Sequence, residues 1–166
     1  MGSGKTTVAE VLATKYSYAL VDLDKEIEAK ENRKISNIFE TDGEEYFRHV
    51  ESKILKDFLK RSNQVISTGG GIILKEENRN TIKESGTVFW LYASPSVVYE
   101  RIKDDNNRPL INTGKSKEDV IKRIESIMDA RFDLYKESAD VIINTDKFTP
   151  EECVEEILKE FKLLNL

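Results

Sequence analysis

Near its start the chain runs Gly2-Ser-Gly-Lys-Thr-Thr7 and passes without a break into Val8-Ala-Glu-Val-Leu12. Few stretches of this length restrict a fold more tightly. Small residues let successive backbone N–H groups turn inward around a polyphosphate, and a helix beginning at the same point adds its dipole. Lys5 is then placed to reach the terminal phosphates, and the Thr6 hydroxyl to ligate a magnesium ion. Gly2, Ser3, Gly4, Lys5, Thr6 and Thr7 are therefore the candidate ATP-binding residues. The full phosphate-loop pattern is Gly, four residues, then Gly-Lys-Ser/Thr, so its opening glycine would precede Met1.

Downstream, helical and strand-like patterns alternate. Val8, Val11, Leu12 and Tyr16 have helical spacing over 5–16, and 18–22 reads as a short buried strand ending in acids. Helices are predicted over 24–31, around 35–39, and over 43–60 with Phe47, Val50, Ile54 and Phe58 inward. A strand over 64–68 enters Gly69-Gly70-Gly71, a helix is predicted over 75–84, and 87–92 is the clearest buried strand. Pro95 opens a further helix. The polar segment 104–116 has no periodicity. Helix 117–135 turns Val120, Ile121, Ile124, Ile127 and Met128 inward, strand 140–144 comes next, and Thr149 caps a last helix with Pro150 at its first position.

Strands alternating with helices imply an α/β fold: a three-layer α/β/α arrangement around a parallel sheet, with ligands at the carboxyl ends of the strands. Asp22 and Asp24, Gly69–Gly71 and Asn144-Thr145-Asp146 all fall at such ends. A phosphate loop ordinarily comes after a central strand, and that first strand is missing from this chain. The natural protein is expected to begin upstream, with Met1 an internal methionine, and the intact mass of the native protein checks this.

With 166 residues, 39% hydrophobic and 34% charged, the chain suits one soluble domain. A net charge of −5 argues against nucleic-acid or membrane partners, which need a basic surface. No apolar run approaches membrane-spanning length. The single cysteine, Cys153, excludes an internal disulfide, lies on a helical apolar pattern and suits a cytoplasmic location. The one histidine, His49, reads as a helix-surface residue.

Several further residues carry chemistry. Strand alternation puts Asp22 and Asp24 on one side, one to help hold hydrated magnesium and one to face a substrate hydroxyl; an Asp helix cap is the plainer reading. Three successive glycines are entropically costly and suit close approach of a ligand, or a plain turn. Arg48 has Glu44, Glu45 and Glu51 within helical reach, which suggests a surface ion-pair cluster. Arg131 extends an inward apolar stripe and needs an anion, from protein or ligand. Arg108, within the irregular segment, is placed to neutralise a transferring phosphoryl group from a lid; the alternative is a plain surface loop.

Taken in order, Gly-Ser-Gly-Lys-Thr-Thr, Asp22-Leu-Asp24 with Ile27-Glu28, Ile38-Phe39 before Gly43-Glu44, Phe47-Arg48 with Glu51, Thr68-Gly-Gly-Gly71, Arg108-Pro-Leu110 and Arg131 with Leu134-Tyr135 resemble the shikimate kinase family over nearly the whole chain. The resemblance implies a single P-loop kinase domain over 1–166, with about 25–60 binding substrate and about 104–117 as lid. It implies ATP-dependent phosphorylation of the 3-hydroxyl of shikimate, a step toward chorismate and the aromatic amino acids, by a monomer with ATP as co-substrate and Mg2+ as cofactor. Lys5 and Thr6 then resemble the ATP-phosphate and magnesium residues, with Asp22 in the magnesium shell. Asp24 is similar to the aspartate that binds the shikimate hydroxyls and assists proton removal. Arg48 and Arg131 match the arginines on the shikimate carboxylate, with Gly69, Gly70 and Gly71 lining the pocket. Arg108 matches a lid arginine and Arg101 one near adenine, while Phe148 stands where the family often has an arginine. Catalytic roles thus fall to Lys5, Asp24 and Arg108.

Two other classes are weighed. Another small P-loop kinase would act on gluconate or a nucleoside monophosphate, but the glycine run and the two arginines favour a small polyol acid. A truncated or inactive nucleotide-binding module is the non-enzyme reading, and the retained Lys5, Asp24, Arg48, Arg108 and Arg131 argue against it.

Overall fold

In a computed structural model, residues 2–104 and 116–164 are described. The expected lid, including Arg108, falls almost wholly outside the described residues. Two compact units emerge, Lys5–Val88 and Met1–Gly4 with Phe89–Leu166.

In the first unit, α1 spans Lys5–Tyr16, β1 Ala19–Asp22, α2 Leu23–Glu31, α3 Ile35–Thr41, α4 Gly43–Leu59 and β2 Gln64–Ser67. A 3-10 turn at Ile72–Leu74 and α5 over Glu76–Ser85 complete it. The parallel pair β1–β2 runs in register from Ala19↔Gln64 to Asp22↔Ser67. Both strands therefore end at one level, and the segments beyond them, carrying Asp24 and Gly69–Gly71, leave from the same end. The core is Val8, Ala9, Ala13, Val21, Leu23, Ile27, Ile38, Phe47, Val50, Ile54, Leu55, Ile72 and Ile73.

Local rules account for the joints. Asp22 caps α2, its Oδ1 accepting from Lys25 N at 3.3 Å, and Asn32 ends that helix in the left-handed conformation. Glu28 reaches across to α3, where its Oε1 accepts from Ile35 N at 3.1 Å and its Oε2 from Lys34 Nζ at 2.7 Å. Phe39 packs on Phe47 with centroids 4.7 Å apart and so ties α3 to α4.

The second unit contains β3 (Phe89–Tyr92), α6 (Pro95–Ile102), α7 (Lys117–Ser138), β4 (Val141–Asn144) and α8 (Pro150–Leu164). β3 and β4 are parallel, from Phe89↔Val141 to Tyr92↔Asn144. Ala93, Val98, Ile102, Val120 and Ile124 form one core, with Met128 packed against it. Leu91, Ile143, Cys153, Val154 and Ile157 are buried as well. Trp90 stacks on Tyr135 at 5.1 Å.

Three expectations are corrected. On α1 the buried stripe is Val8, Ala9 and Ala13, while Tyr16 is exposed; small residues are what sit closest to the neighbouring elements. The strands are not buried throughout: β1 buries Val21 alone and leaves Leu20 exposed, and β4 buries Ile143 and exposes Ile142. Among the described residues each sheet pairs two strands, so every strand hydrogen-bonds to a partner along one side. Finally, the chain becomes helical at Leu23, so strand alternation is not what relates Asp22 to Asp24.

At the start of α8, Glu152 N donates to Thr149 Oγ1 at 3.2 Å and Thr149 N to Glu152 Oε2 at 2.7 Å, a reciprocal capping box. Thr149→Ala should destabilise the protein by about 1 kcal/mol. Calorimetry should then show a Tm lower by roughly 2–4 °C; an unchanged Tm would refute a stabilising cap.

Candidate active site

The site in the Lys5–Val88 unit is built where β1 and β2 end. From β1 the chain turns directly into α2, which puts Asp24 in the helix's first turn while Asp22 acts as its cap. From β2 it enters Gly69–Gly71, closed by Ile72 N donating to Gly69 O at 3.2 Å and Leu74 N to Gly71 O at 3.1 Å. Behind the turn, Asn78 Nδ2 donates to Ile72 O at 3.1 Å and Arg79 Nη1 to Ile73 O at 2.9 Å.

The third wall is α4. Phe47, Val50, Ile54 and Leu55 face the core, and Glu51 lies on the same stripe, fully buried. Arg48, one turn before, donates from Nη1 to Glu51 Oε2 at 2.7 Å and from Nη2 and Nε to Glu44 Oε1 at 3.1 and 3.2 Å. Its guanidinium carbon lies 5.0 Å from the Phe47 ring centroid. Only 14% of the Arg48 side chain is exposed and 1% of Glu51, against 60% for Glu44. The surface-cluster reading is thus corrected: Glu45 takes no part, and the pair that matters is inside the protein.

Those side chains explain the glycines. A Cβ at Gly71 would collide with the Arg48 guanidinium, and one at Gly69 would stand 2.9 Å from Asp24 Oδ1 and 3.4 Å from Glu51 Oε1. The close approach predicted for a ligand is made in this structure by the protein's own charged groups. Glu51 Oε1 is buried without a hydrogen-bond partner, an acceptor left open beside this cluster.

The electrostatics are those of a crowded carboxylate site. Asp24 keeps an accessible edge, yet its carboxyl is held above the usual range, first by desolvation and then by repulsion from Asp22; Lys5 and, more weakly, Arg48 pull the other way. Burial likewise raises the Glu51 carboxyl, with Arg48 as the main opposing influence. Lys5, Asp22, Asp24, Arg48, Gly69 and Gly71 therefore belong to one neighbourhood. Such a set can bind an anionic group at the guanidinium and accept a proton at Asp24. Thr6 and Asp22 add hard oxygen donors of the kind magnesium takes, and the mutual repulsion of Asp22 and Asp24 is what a dication relieves. Among the described residues no cluster of three or more His, Cys, Asp or Glu side chains could hold a metal.

Thr7 and Gly70 lie in the first unit with the residues above, whereas Gly2, Ser3, Gly4, Arg101 and Arg131 belong to the second. Gly2 and Gly4 have φ of 66° and 83°, a region that favours glycine. Ser3 is buried. Arg101 donates to Thr145 Oγ1 at 2.9 Å and Thr145 O at 2.7 Å. Arg131 is half-buried on α7, and Phe148 is exposed. His49, in the first unit, is exposed on α4, a helix-surface residue as its position in the sequence predicts. Glu51 was legible in the spacing 47, 50, 51, 54, 55, which places it on the inner face of α4; Thr145 stood in a strand-end triplet but carried no motif.

A phosphate-binding loop opening α1, parallel strands ending at acidic residues and a glycine run, and helices between them define a P-loop kinase of α/β architecture. The solved structures agree in fold. Shikimate kinase from Acinetobacter baumannii in complex with shikimate matches with a TM-score of 0.90 at 34% identity, covering 100% of this chain and 90% of that one. The shikimate kinase structure from Bacteroides thetaiotaomicron matches at 0.88 and 29%, covering 100% and 94%. In sequence, the shikimate kinase of Thermodesulfovibrio yellowstonii is 41% identical over 165 residues, 99% of this chain and 92% of the relative. The family model for shikimate kinase matches residues 1–162, and the chain belongs to the shikimate kinase family.

The raised Glu51 carboxyl has a consequence for stability. Between the usual Glu value of 4.5 and its raised one, the folded protein keeps a proton that the unfolded chain releases, so stability falls as pH rises through that window. Asp24 contributes in the same direction. Glu51→Gln should flatten part of this decline in urea unfolding at a series of pH values; an identical pH slope in the variant would refute it.

Proposed function

We propose that the chain transfers the γ-phosphate of ATP to the 3-hydroxyl of shikimate, giving shikimate 3-phosphate and ADP, in chorismate and aromatic amino acid biosynthesis. The observation that carries this reading is a guanidinium held on Gly71 by a buried carboxylate, beside an aspartate whose carboxyl is held high. Arg48 binds the acceptor's carboxylate, for which a planar guanidinium is the best-matched partner. Asp24 binds the acceptor hydroxyl and takes its proton as the oxygen attacks the γ-phosphorus and the bond to ADP breaks. Its raised affinity for a proton makes it a better base than an ordinary surface aspartate. Gly70 belongs to the same loop and contributes backbone to that pocket.

On the nucleotide side, the loop Gly2–Thr7 presents backbone N–H groups and Lys5 to the phosphates. Thr6 and Asp22 would hold Mg2+, which when bound neutralises phosphate charge. Residues 25–60 form the acceptor-binding region of a single catalytic domain. No described helix is long and apolar enough to cross a membrane. The free thiol of buried Cys153 and the use of ATP fit a cytoplasmic enzyme.

Turnover measured as ADP release with shikimate tests the reading. Lys5→Ala should abolish it. Asp24→Asn should lower kcat by about 10²–10⁴ while ATP binding persists. Arg48→Lys should raise KM for shikimate roughly ten- to a hundredfold through loss of charge-assisted hydrogen bonds, with a smaller effect on KM for ATP. Near-native kcat in Asp24→Asn would remove the proton-acceptor role, and no turnover by the wild-type chain with MgATP and shikimate would overturn the function.

A further inference from the structure

One buried side chain in the second unit has more hydrogen bonds than packing requires. Thr145, the first residue beyond β4, is 2% exposed. Its backbone N donates to Tyr92 O at 2.8 Å, and its hydroxyl lies 3.0 Å from the same carbonyl, continuing the β3–β4 pairing past its last register position. The hydroxyl has one proton, and Tyr92 O takes it. What remains on Thr145 Oγ1 is acceptor capacity, and Arg101 Nη1 fills it at 2.9 Å while Nη2 donates to Thr145 O at 2.7 Å. The guanidinium is held by two bonds to one residue.

From there Arg101 Nη1 also reaches Gly2 O at 3.4 Å. Gly2 has φ +66° and no room for a side chain: a Cβ would stand 2.9 Å from Ile102 Cγ2 and 3.1 Å from Val98 Cγ1, both on α6 with Arg101. Because a peptide unit is planar and trans, a Gly2 carbonyl turned toward Arg101 sends the Ser3 N–H the opposite way. The direction of that N–H is what a phosphate-binding loop depends on.

We propose that Thr145 is a positioning residue for the nucleotide: it orients Arg101, which holds the Gly2 carbonyl and thereby sets the outlook of the first phosphate-loop amides. The proposal rests on the reading of Gly2–Thr7 as the nucleotide loop, and it concerns neither acceptor identity nor the proton transfer. A valine at 145 keeps the shape and the backbone acceptor but loses the hydroxyl, whereas serine keeps it.

The test is MgADP affinity by titration calorimetry without shikimate, together with separate KM values for ATP and shikimate. Thr145→Val should weaken MgADP about tenfold, the effect of one lost hydrogen bond to a charged group, and raise KM for ATP similarly. KM for shikimate should stay within about twofold, and Thr145→Ser should bind MgADP like wild type. Adding Thr145→Val to Arg101→Met should cost nothing beyond Arg101→Met alone. Wild-type affinity in Thr145→Val, equal losses in the Ser and Val variants, or additive losses in the double variant would each overturn the proposal. Should Thr145→Val not fold, amide exchange decides: Arg101→Met should speed exchange in the segment 2–4, and unchanged exchange would overturn the proposal. A wild-type chain that binds MgADP without phosphorylating shikimate would overturn the acceptor reading and leave this one standing. One that does not bind MgADP would overturn both.

Discussion

The ion pair between Arg48 and Glu51 sets the terms for its whole unit. A carboxylate with no exposure is tolerable only when a cation and good hydrogen bonds compensate for lost water. Arg48 supplies both through a 2.7 Å bond, and removing one partner of such a pair typically costs about 3–5 kcal/mol. The neighbouring backbone is constrained in turn. Gly71 must lack a side chain because the guanidinium lies on it, and Gly69 leaves the space into which Asp24 and Glu51 crowd. Crowding then raises the affinity of both carboxyls for a proton.

Strand register is what turns these neighbours into a site. β1 and β2 end opposite each other at Asp22 and Ser67, so the segments leaving them emerge together. Had the pairing slipped by one residue, the side chains of one strand would exchange faces and the acidic turn would no longer face the glycine loop in the same way. The 3-10 turn behind the glycines is held by side chains of α5, Asn78 and Arg79, so even the flexible residues sit on a rigid frame.

The second unit uses the same physical device with different partners. Arg101, like Arg48, is a guanidinium oriented by a buried acceptor and lying against a glycine. In both cases a planar cation with several fixed donors does what a lysine could not, because its direction is determined by more than one bond. The absence of a side chain at Gly2 and Gly71 is what lets a neighbouring element come so close.

Much of this was legible in the chain. The phosphate loop, the alternation of helices and strands, the cap at Thr149 and the residues 22, 24, 48 and 69–71 all carry local signals, because caps, turns and periodicity depend on neighbours in sequence. The order of those signals was also enough to indicate a family, since each motif constrains the next. Tertiary structure alone decided what touches what. It left Leu20 and Ile142 exposed, laid the Arg48 guanidinium against Gly71, and joined Thr145 to Arg101 across 44 residues. Burial, pairing and proton affinity are set by groups distant along the chain, and no local pattern records which of them will meet.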